Sequence, residues 1–351
     1  MCNTIKKVVL YTLYYLGVFR LIFFLNRNST IIFMLHGVTD DQYSGSWRPL
    51  WKRAHTREIH IALKAIERYV DFVDMDHVCE RLSKKAKCER PAVAFTFDDG
   101  YENNLMYAYP ALRTFNAPMI VYFATSFVEQ KQLFWIDEID YLLQAQTDDI
   151  IRINVEGQHF TIRTTSRALL TQDYANLRLT LRKLYPDERE MLIHLNALKK
   201  QLDPTGQLLS GDILSNPMLS IIKPDVLASG LPQGFDVGSH TVNHLRLGNL
   251  ERVVIDTEVL VSKHYLEEKT GQACRHFCYP VGSFSSVASA SVKAAGYESA
   301  VTTHSGINRV GDDMFTLDRL AFPDVFSVPQ VLFYVCWALV KDRVKRLREC
   351  F

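Results

Sequence analysis

Residues 92–100 read Ala-Val-Ala-Phe-Thr-Phe-Asp-Asp-Gly. Six small, aromatic or β-branched residues in succession predict a strand that is buried on both faces, as in a parallel sheet. Asp98 and Asp99 end this run, and Gly100 permits a sharp turn behind them. In parallel α/β folds, functional residues collect just past the strand C-termini. Two adjacent carboxylates can serve as metal ligand and proton acceptor, although a solvated turn would explain them as well.

Strand-like and helical patterns alternate on both sides of this stretch. Apolar runs predict strands at 31–35, 92–97, 119–124, 235–239, 275–279 and 299–303. Periodic patterns predict helices at 56–69, 76–82, 101–115, 249–269 and 285–295. The alternation predicts an α/β fold with parallel strands covered by helices, arranged as an open sheet or as a barrel.

One block, at residues 134–234, interrupts this alternation. Its patterns predict a helix at 136–143, a hairpin of 151–155 with 158–163, and polar helices at 167–185 and 187–202. We interpret the block as an inserted helical and hairpin segment that covers the site or helps to select substrate.

Composition excludes several classes of protein. The chain carries 40 basic and 39 acidic side chains, so its net charge of +1 creates no overall field that would attract nucleic acid. Its seven cysteines are odd in number and lack C-x-x-C spacing, which favours a reducing compartment over a disulfide framework. We therefore expect a cytoplasmic protein without a nucleic-acid partner. The sequence says nothing about its oligomeric state.

Both ends of the chain carry apolar stretches next to basic residues. Residues 8–25 approach the length of a membrane span, but Arg20 lies inside them. Three interpretations are open: a helix lying on the inner membrane surface, an uncleaved signal anchor, or an apolar helix packed on the domain. The stretch 328–350 is apolar and then basic, so it predicts a helix that lies on anionic lipid or closes the domain.

Two further motifs follow predicted strands. His240 and His244 are spaced i and i+4, so that one helical turn would aim both imidazoles at one metal ion. Residues 279–282, Tyr-Pro-Val-Gly, form a turn whose backbone N–H groups could hold an oxyanion. Each motif alone is also compatible with an ordinary histidine pair or loop.

The combination resembles the polysaccharide deacetylase family, also called the NodB-homology or carbohydrate esterase 4 family. Thr96–Gly100 matches its Thr-Phe-Asp-Asp-Gly motif and His240–His244 its His-Ser/Thr-x-x-His motif, over roughly 30–133 and 234–322. The resemblance implies a distorted (β/α) barrel that hydrolyses N-acetyl groups. It implies that Asp99, His240 and His244 bind one divalent metal and that Asp98 is the catalytic base. Zinc is expected, with cobalt, manganese or nickel as alternatives.

The third motif, Tyr-Pro-Val-Gly at residues 279–282, departs from the family pattern. By position, the Val281 N–H matches the oxyanion donor, and Tyr279 beside it is a further candidate for substrate contact. Cys278 stands where many members carry an arginine that orients the base, and Arg319 could supply that charge from a neighbouring strand.

The family's late catalytic histidine is also missing near the C-terminus. We expect His36, which closes the first strand, to replace it as the general acid, because the first and last strands of a closed barrel are neighbours. His304 is the weaker alternative.

We therefore expect three parts: an N-terminal helix at 1–29, a deacetylase-like catalytic domain at 30–327 with the insertion, and a basic helix at 328–351. The expected substrate is an N-acetylated glycan or a lipid-linked sugar, handled at the inner face of the membrane. Two alternatives are a deformylase or other amidase on a lipid-linked aminosugar, and a catalytically silent carbohydrate-binding barrel.

Overall fold

Parallel strands form the centre of the structure, a computed structural model that describes residues 2–45, 47–84, 88–130, 132–185, 188–209, 213, 216–324 and 327–349. In chain order the strands are β1 Thr30–Leu35, β2 Val38–Thr39, β3 Ala54–His55, β4 Asp71–Phe72, β5 Ala92–Phe97, β6 Met119–Phe123, β7 Ile150–Val155, β8 Gln158–Arg163, β9 Phe235–Ser239, β10 His276–Cys278, β11 Ser299–Ser305 and β12 Leu317–Ala321.

Within the described residues, seven of these strands close into a barrel in the order β1, β12, β11, β10, β9, β6 and β5. Closure occurs because β1 pairs in parallel with β12 on one side and with the whole of β5 on the other. The short strand β4 pairs with the first two residues of β5. The α/β barrel expected from the sequence is thus confirmed, and the open-sheet alternative is wrong.

Helices surround the barrel. The α-helices are α1 Cys2–Tyr15, α2 Val18–Leu25, α3 Thr56–Ile66, α4 Met75–Ser83, α5 Tyr109–Arg113, α6 Thr125–Gln130, α7 Trp135–Gln144, α8 Arg167–Leu184, α9 Glu188–Leu202, α10 Pro224–Ala228, α11 Arg252–Thr270, α12 Ser286–Ala294 and α13 Val328–Glu349. The predicted helix at 101–115 instead begins with a π-helical turn, Asn104–Ala108.

Side chains alternate between the inside and the outside of the barrel along each strand, as strand geometry requires. One buried cluster combines Ile32, Ala94 and Ile120 with Leu317 and residues of α4, which identifies these positions as inward-facing. Asp98 follows Ala94 by four residues, and Arg319 follows Leu317 by two. The same alternation therefore aims both polar side chains into the barrel interior, Asp98 from just after β5 and Arg319 from the middle of β12.

The predicted insertion contains α7, the antiparallel hairpin of β7 with β8, and the helices α8 and α9. The predicted hairpin is confirmed, with Ile150 added to its first strand. Its turn lies at Glu156 and Gly157, which both have positive φ.

The apolar stretch 8–25 is not one continuous helix. Gly17, at φ 71°, separates α1 from α2 in a left-handed conformation that glycine adopts without strain. No single helix in the described part of the chain is long and apolar enough to cross a membrane. The pair Val8–Tyr15 and Val18–Leu25 together would meet the length and hydropathy requirement but is bent by 65°.

Candidate active site

The strand β5 delivers two buried carboxylates to one end of the barrel. Asp98 is 2% exposed and Asp99 is 3% exposed. Asp99 has φ 76° and Gly100 has φ 78°, so the chain turns sharply as soon as the strand ends. A β-carbon on Gly100 would collide with the Phe123 ring, which explains the need for glycine.

Backbone strain is concentrated at this end of the barrel. Six non-glycine residues in the described chain have positive φ, and four of them are Asp99, Thr241, His244 and Val281. Each such conformation costs about 1–3 kcal/mol, and conformations of this kind persist mainly where a site requires them. The strain therefore marks the three loops that the sequence motifs singled out.

Asp98 is bound by Arg319 in a two-pronged ion pair. Arg319 Nη1 lies 2.7 Å from Asp98 Oδ1, and Nη2 lies 2.7 Å from Oδ2. The guanidinium is itself held, since Nε donates to the Thr302 carbonyl at 2.7 Å and Nη1 to Thr96 Oγ1 at 3.0 Å. Burial alone would raise the pKa of Asp98, but the Arg319 charge and hydrogen bonds dominate and hold it well below the usual range.

Cys278 adjoins this pair from β10. Its Sγ lies 3.5 Å from Asp98 Oδ1 and 3.3 Å from Arg319 Nη2. Cys278 is too short to reach around the carboxylate as an arginine would, and Arg319 enters from β12 to contact Asp98. The sequence-based expectation that Arg319 compensates for the cysteine therefore agrees with the geometry.

Asp99 and the two motif histidines converge on one point. Asp99 Oδ1 lies 3.7 Å from His240 Nε2 and 3.5 Å from His244 Nε2. The three side chains can each offer one ligand atom, all within 4.8 Å of one another. Such separations suit a shared cation better than direct hydrogen bonds, which would be shorter.

The protonation states of this group also suit a cation. Burial lowers the pKa of His240 to about 3, so its imidazole is neutral at physiological pH. His240 Nδ1 lies 2.7 Å from the Cys278 carbonyl, to which only a protonated Nδ1 can donate. That hydrogen bond leaves the Nε2 lone pair facing Asp99, in the arrangement typical of metal-binding histidines. Burial raises the pKa of Asp99, a cost that a bound cation would offset.

A second group of three donors, Asp98, His240 and Cys278, shares the same end of the barrel. Its chemistry fits a metal poorly, because Arg319 already neutralises Asp98 and occupies both oxygens. Burial also raises the pKa of the Cys278 thiol well above its ordinary value, whereas a metal ligand must be a thiolate. Asp99, His240 and His244 are therefore the better-suited set.

Glu258 of α11 supports the loop that carries the two histidines, a contribution that the sequence motifs did not reveal. Its Oε2 accepts hydrogen bonds from the Val242 and Asn243 backbone N–H groups at 2.9 and 2.8 Å. Its Oε1 accepts from Asn243 Nδ2 at 2.7 Å. The i,i+4 histidines are thus held by a strained turn pinned to a neighbouring helix, and not by a helix of their own.

His36 lies beside Asp98 and remains accessible. Its Nε2 is 3.9 Å from Asp98 Oδ2, its side chain is 33% exposed, and its ring stands perpendicular to Trp51. His304 lies in β11, with an exposed side chain near the Phe284 ring. Of the two candidates for the missing histidine, His36 is the one that neighbours the carboxylate.

The third motif contributes its backbone, while its tyrosine belongs to the core. Val281 has φ 57°, and within the described residues no hydrogen-bond acceptor pairs with its N–H. Tyr279 is fully buried between the rings of Phe277 and Phe284. The Tyr279 side chain therefore does not reach a substrate, contrary to the expectation from sequence.

No sequence motif indicates the buried hydrogen-bond network that lies next to the site. Asp137 of α7 accepts from Arg53 Nη2 at 2.7 Å, Tyr101 OH at 2.6 Å and Trp51 Nε1 at 3.2 Å. The Arg53 guanidinium also lies over the Tyr101 ring at 4.4 Å. This network ties the insertion to the loop after Asp99, and its partners are too far apart in sequence to form a recognisable motif.

A cavity of about 510 Å³ extends from His244 into the insertion. Its walls combine aromatic rings with amide side chains, among them Phe127, Phe134, Trp135, Gln132, Asn196 and Asn243. Aromatic side chains combined with a small number of polar groups are typical of sites that bind small molecules.

Comparisons with known proteins agree with this architecture. A family model described as "Polysaccharide deacetylase" matches residues 85–185 and 195–300, which together are more than half of the chain. No curated protein sequence matches significantly.

Among solved structures, IcaB from Ammonifex degensii is 16% identical, with a TM-score of 0.54 over 88% of this chain and 97% of its own. The Streptococcus pyogenes deacetylase PplD, in complex with acetate, is 16% identical, with a TM-score of 0.51 over 87% of this chain and 96% of its own. A de-N-acetylase from Aggregatibacter actinomycetemcomitans is 14% identical, with a TM-score of 0.50 over 87% and 99%. At these identities the likeness concerns the fold.

Proposed function

Because the chain belongs to the polysaccharide deacetylase family, we propose that it is a metal-dependent hydrolase that removes N-acetyl groups from an aminosugar in a glycan or a lipid-linked saccharide. The observation that carries the proposal is the convergence of Asp99, His240 and His244 beside the paired carboxylate of Asp98. A silent carbohydrate-binding barrel would have no need for this strained, buried set of donors.

In this proposal Asp99, His240 and His244 hold one divalent cation, with zinc the expected ion and cobalt, manganese or nickel as alternatives. When bound, such an ion polarises the amide carbonyl and lowers the pKa of a nearby water. The donor set of one carboxylate and two neutral imidazoles leaves positions for water and substrate, as a catalytic site requires.

Asp98 accepts the proton of the attacking water. The Arg319 pair keeps it ionised at every physiological pH, so the acceptor form is always present. The same low pKa makes Asp98 a weak base, so it depends on a water whose own pKa is lowered. Arg319 fixes both oxygens and thereby the direction from which the carboxylate meets that water.

Two further groups complete the reaction. The Val281 N–H is the candidate donor to the oxygen that becomes negative when water adds to the carbonyl carbon. His36 is the candidate acid that protonates the departing amine as the C–N bond breaks, which yields acetate and a free amino sugar. Its position 3.9 Å from Asp98 and its exposure toward solvent support this role.

The test is product release from a panel of N-acetylated oligosaccharides and lipid-linked saccharides. We expect acetate release that stops with a chelator and falls at least about 10²-fold in Asp98→Asn, since general-base catalysis contributes that much. Formate in place of acetate, from N-formylated counterparts, would assign the chain to deformylation instead. Glycan binding without any turnover, unchanged by the chelator, would contradict the proposal.

A further inference from the structure

The two ends of the chain pack together on one flank of the barrel. Phe19 and Phe23 of α2 are buried, and the Phe19 carbonyl lies 3.9 Å from Cys336 Sγ of α13. Farther along, Arg343 Nη1 donates to the Leu25 carbonyl at 3.1 Å. We call the exposed sides of α1, α2 and α13 together the end-helix surface.

On α13 this surface is an apolar stripe. Its residues lie four, three, four and three positions apart, at Phe333, Trp337, Val340, Val344 and Leu347. At about 3.6 residues per turn, this spacing keeps them within an arc of about 80°. Four of them are 43–60% exposed, and the Phe333 and Trp337 rings stack on each other at 6.2 Å.

The N-terminal helices add apolar side chains to the same surface. Eight described residues of this segment are 45–80% exposed: Val8, Val9, Tyr11, Tyr15, Leu16, Leu21, Phe24 and Leu25. Isolated exposed apolar residues are common on soluble proteins, but a contiguous set marks an interaction surface.

The exposed charged side chains that flank the apolar residues of this surface are basic. Residues 1–39 contain no aspartate or glutamate, and Arg20 is exposed among the apolar side chains of α2. On α13 the stripe is flanked by Lys341 and Arg348 on one side and by Arg343 on the other, all of them exposed. Asp342 is turned away, since it pairs with Arg309 at 2.8 Å and with Arg346 at 3.0 Å.

We propose that the end-helix surface docks this protein in the plane of a lipid bilayer that carries anionic headgroups. The apolar stripe inserts between headgroups and acyl chains, while the flanking cations contact lipid phosphates. Trp337 and the N-terminal tyrosines are of the kind that favours the membrane interface. Docking in the plane requires no helix to cross the membrane.

A second copy of the chain is the main rival occupant, because a four-three spacing also suits helix pairing. Two copies paired through this stripe would bring Lys341, Arg343 and Arg348 of each against those of the other. Stable coiled coils flank their seam with charges of opposite sign, so like charges on both sides disfavour self-association. Anionic lipid complements them.

The proposal rests on the surface alone and does not depend on the proposed hydrolase activity. Trp337 provides a direct probe, because it is 60% exposed, while Trp47 and Trp135 are each 7% exposed and Trp51 is half-buried. We expect the protein to show a blue shift of tryptophan emission with vesicles of equal parts phosphatidylcholine and phosphatidylglycerol. The shift should be much smaller with phosphatidylcholine alone and should decline in about 1 M salt, where the screening length is about 3 Å.

Co-sedimentation with the same vesicles tests which residues of the end-helix surface contribute to binding. Phe333→Ser combined with Trp337→Ser should weaken partitioning at least about tenfold, and Lys341→Glu with Arg348→Glu should remove the preference for phosphatidylglycerol. Val253→Ser is the matched control, since Val253 is 75% exposed on α11, outside the surface. Circular dichroism checks that each variant is folded.

Three outcomes would overturn the proposal. One is a folded wild-type protein that sediments with neither kind of vesicle. Another is a shift of the Trp337 emission that depends on protein concentration in the absence of vesicles. That result would identify a second copy of the chain as the occupant. The third is the double variant at Phe333 and Trp337 binding as well as Val253→Ser.

Discussion

Asp98 owes its ionised state mainly to the Arg319 side chain. Arg319 is fully buried and contacts both carboxylate oxygens, so it compensates a charge that the barrel interior would otherwise disfavour. Breaking a buried pair from one side leaves an unpaired charge, which costs about 3–5 kcal/mol unless the remaining group changes its protonation. For Asp98 that change would be the uptake of a proton.

Replacing Arg319 should therefore alter the pH dependence of catalysis. In Arg319→Gln, burial is no longer opposed, so the pKa of Asp98 rises and less of it is ionised at neutral pH. We expect the acid limb of kcat/KM to move to higher pH and kcat at neutral pH to fall about 10²–10⁴-fold. Arg319→Lys keeps the charge without the two-pronged contact. Its acid limb and its kcat should therefore lie between those of the wild type and those of Arg319→Gln. An acid limb that stays in place would contradict this role.

The two candidate acids can be separated by a paired substitution. His36→Gln should lower kcat about 10²-fold or more, because the departing amine loses its proton donor, and should leave the metal content unchanged. His304→Gln should leave kcat unchanged, since His304 is exposed near Phe284. Steady-state kinetics beside metal analysis makes the comparison. Equal losses in both variants would argue against His36.

At this scale, sequence reasoning identified residues that belong to short motifs and missed those that act across the chain. Asp98, Asp99, His240 and His244 are recognisable because each lies within a few residues of its motif partners. Arg319 could be suggested because Cys278 stands where the family pattern has an arginine.

Glu258 and Asp137 carry no local signal, since each acts through partners that only the tertiary structure brings close. Tyr279 was misassigned because a turn motif does not reveal which way a ring points.

Among the elements, the insertion supplies one wall of the cavity beside His244. Asn196 of α9 lines this cavity and is exposed to it. If the cavity holds the sugar, Asn196→Ala should raise KM about 5- to 10-fold with kcat little changed, since a lost hydrogen bond is worth about 1 kcal/mol. Lys200→Ala, exposed on the same helix outside the cavity, is the control. Unchanged kinetics in both variants would remove α9 from substrate binding.

The contact between α4 and β10 makes stability depend on pH. Burial lowers the pKa of His276, but its hydrogen bond to Asp76, at 3.0 Å, together with its interactions with Cys79 and Asp236, outweighs burial and raises that pKa to about 9. A raised histidine pKa contributes stability that is fully present below about 6.5 and lost as the pH rises through 9. We expect Asp76→Asn to lower the melting temperature at pH 6 but hardly at pH 10. A loss that is equal at both pH values would contradict this assignment.

Long periodic elements were predicted well, and interruptions were not. The buried strand at Ala92–Phe97 and the hairpin at Gln158–Arg163 agree with their sequence patterns. The two-residue strands β2, β3 and β4 are too short to show a period. The break at Gly17 and the π-helical turn at Asn104 each depend on the backbone conformation at a single place in the chain, which periodicity averages away.

The whole molecule is organised by the closure of β1 against β5 and β12. Closure brings His36 from the first strand and Arg319 from the last to the same carboxylate, so a group missing from one loop can be replaced from the other end of the chain. The sequence indicated alternating strands and helices but could not distinguish an open sheet from a barrel, because that difference is a single long-range pairing.

The chain ends form the end-helix surface, the second functional surface proposed for this molecule beside the candidate active site. Residues 8–25 and 328–350 were each open to several interpretations, since an apolar helix can face a core or a membrane. In the structure these two segments pack together, with Phe19, Phe23 and Cys336 buried and Leu21, Phe24 and Trp337 exposed. One face of these helices therefore packs in the protein, and the opposite face is exposed for the lipid contact proposed above.

The most direct test of the central claim is the metal content of the purified protein, wild type beside Asp99→Ala, His244→Ala and the control Asp173→Ala. We expect about one equivalent of zinc or a similar divalent cation in the wild type and in Asp173→Ala, because one carboxylate and two imidazoles form one site. We expect loss of that cation in both site variants. A folded wild-type protein that contains no metal and takes up no added zinc, cobalt, manganese or nickel would contradict the metal-dependent hydrolase proposed here.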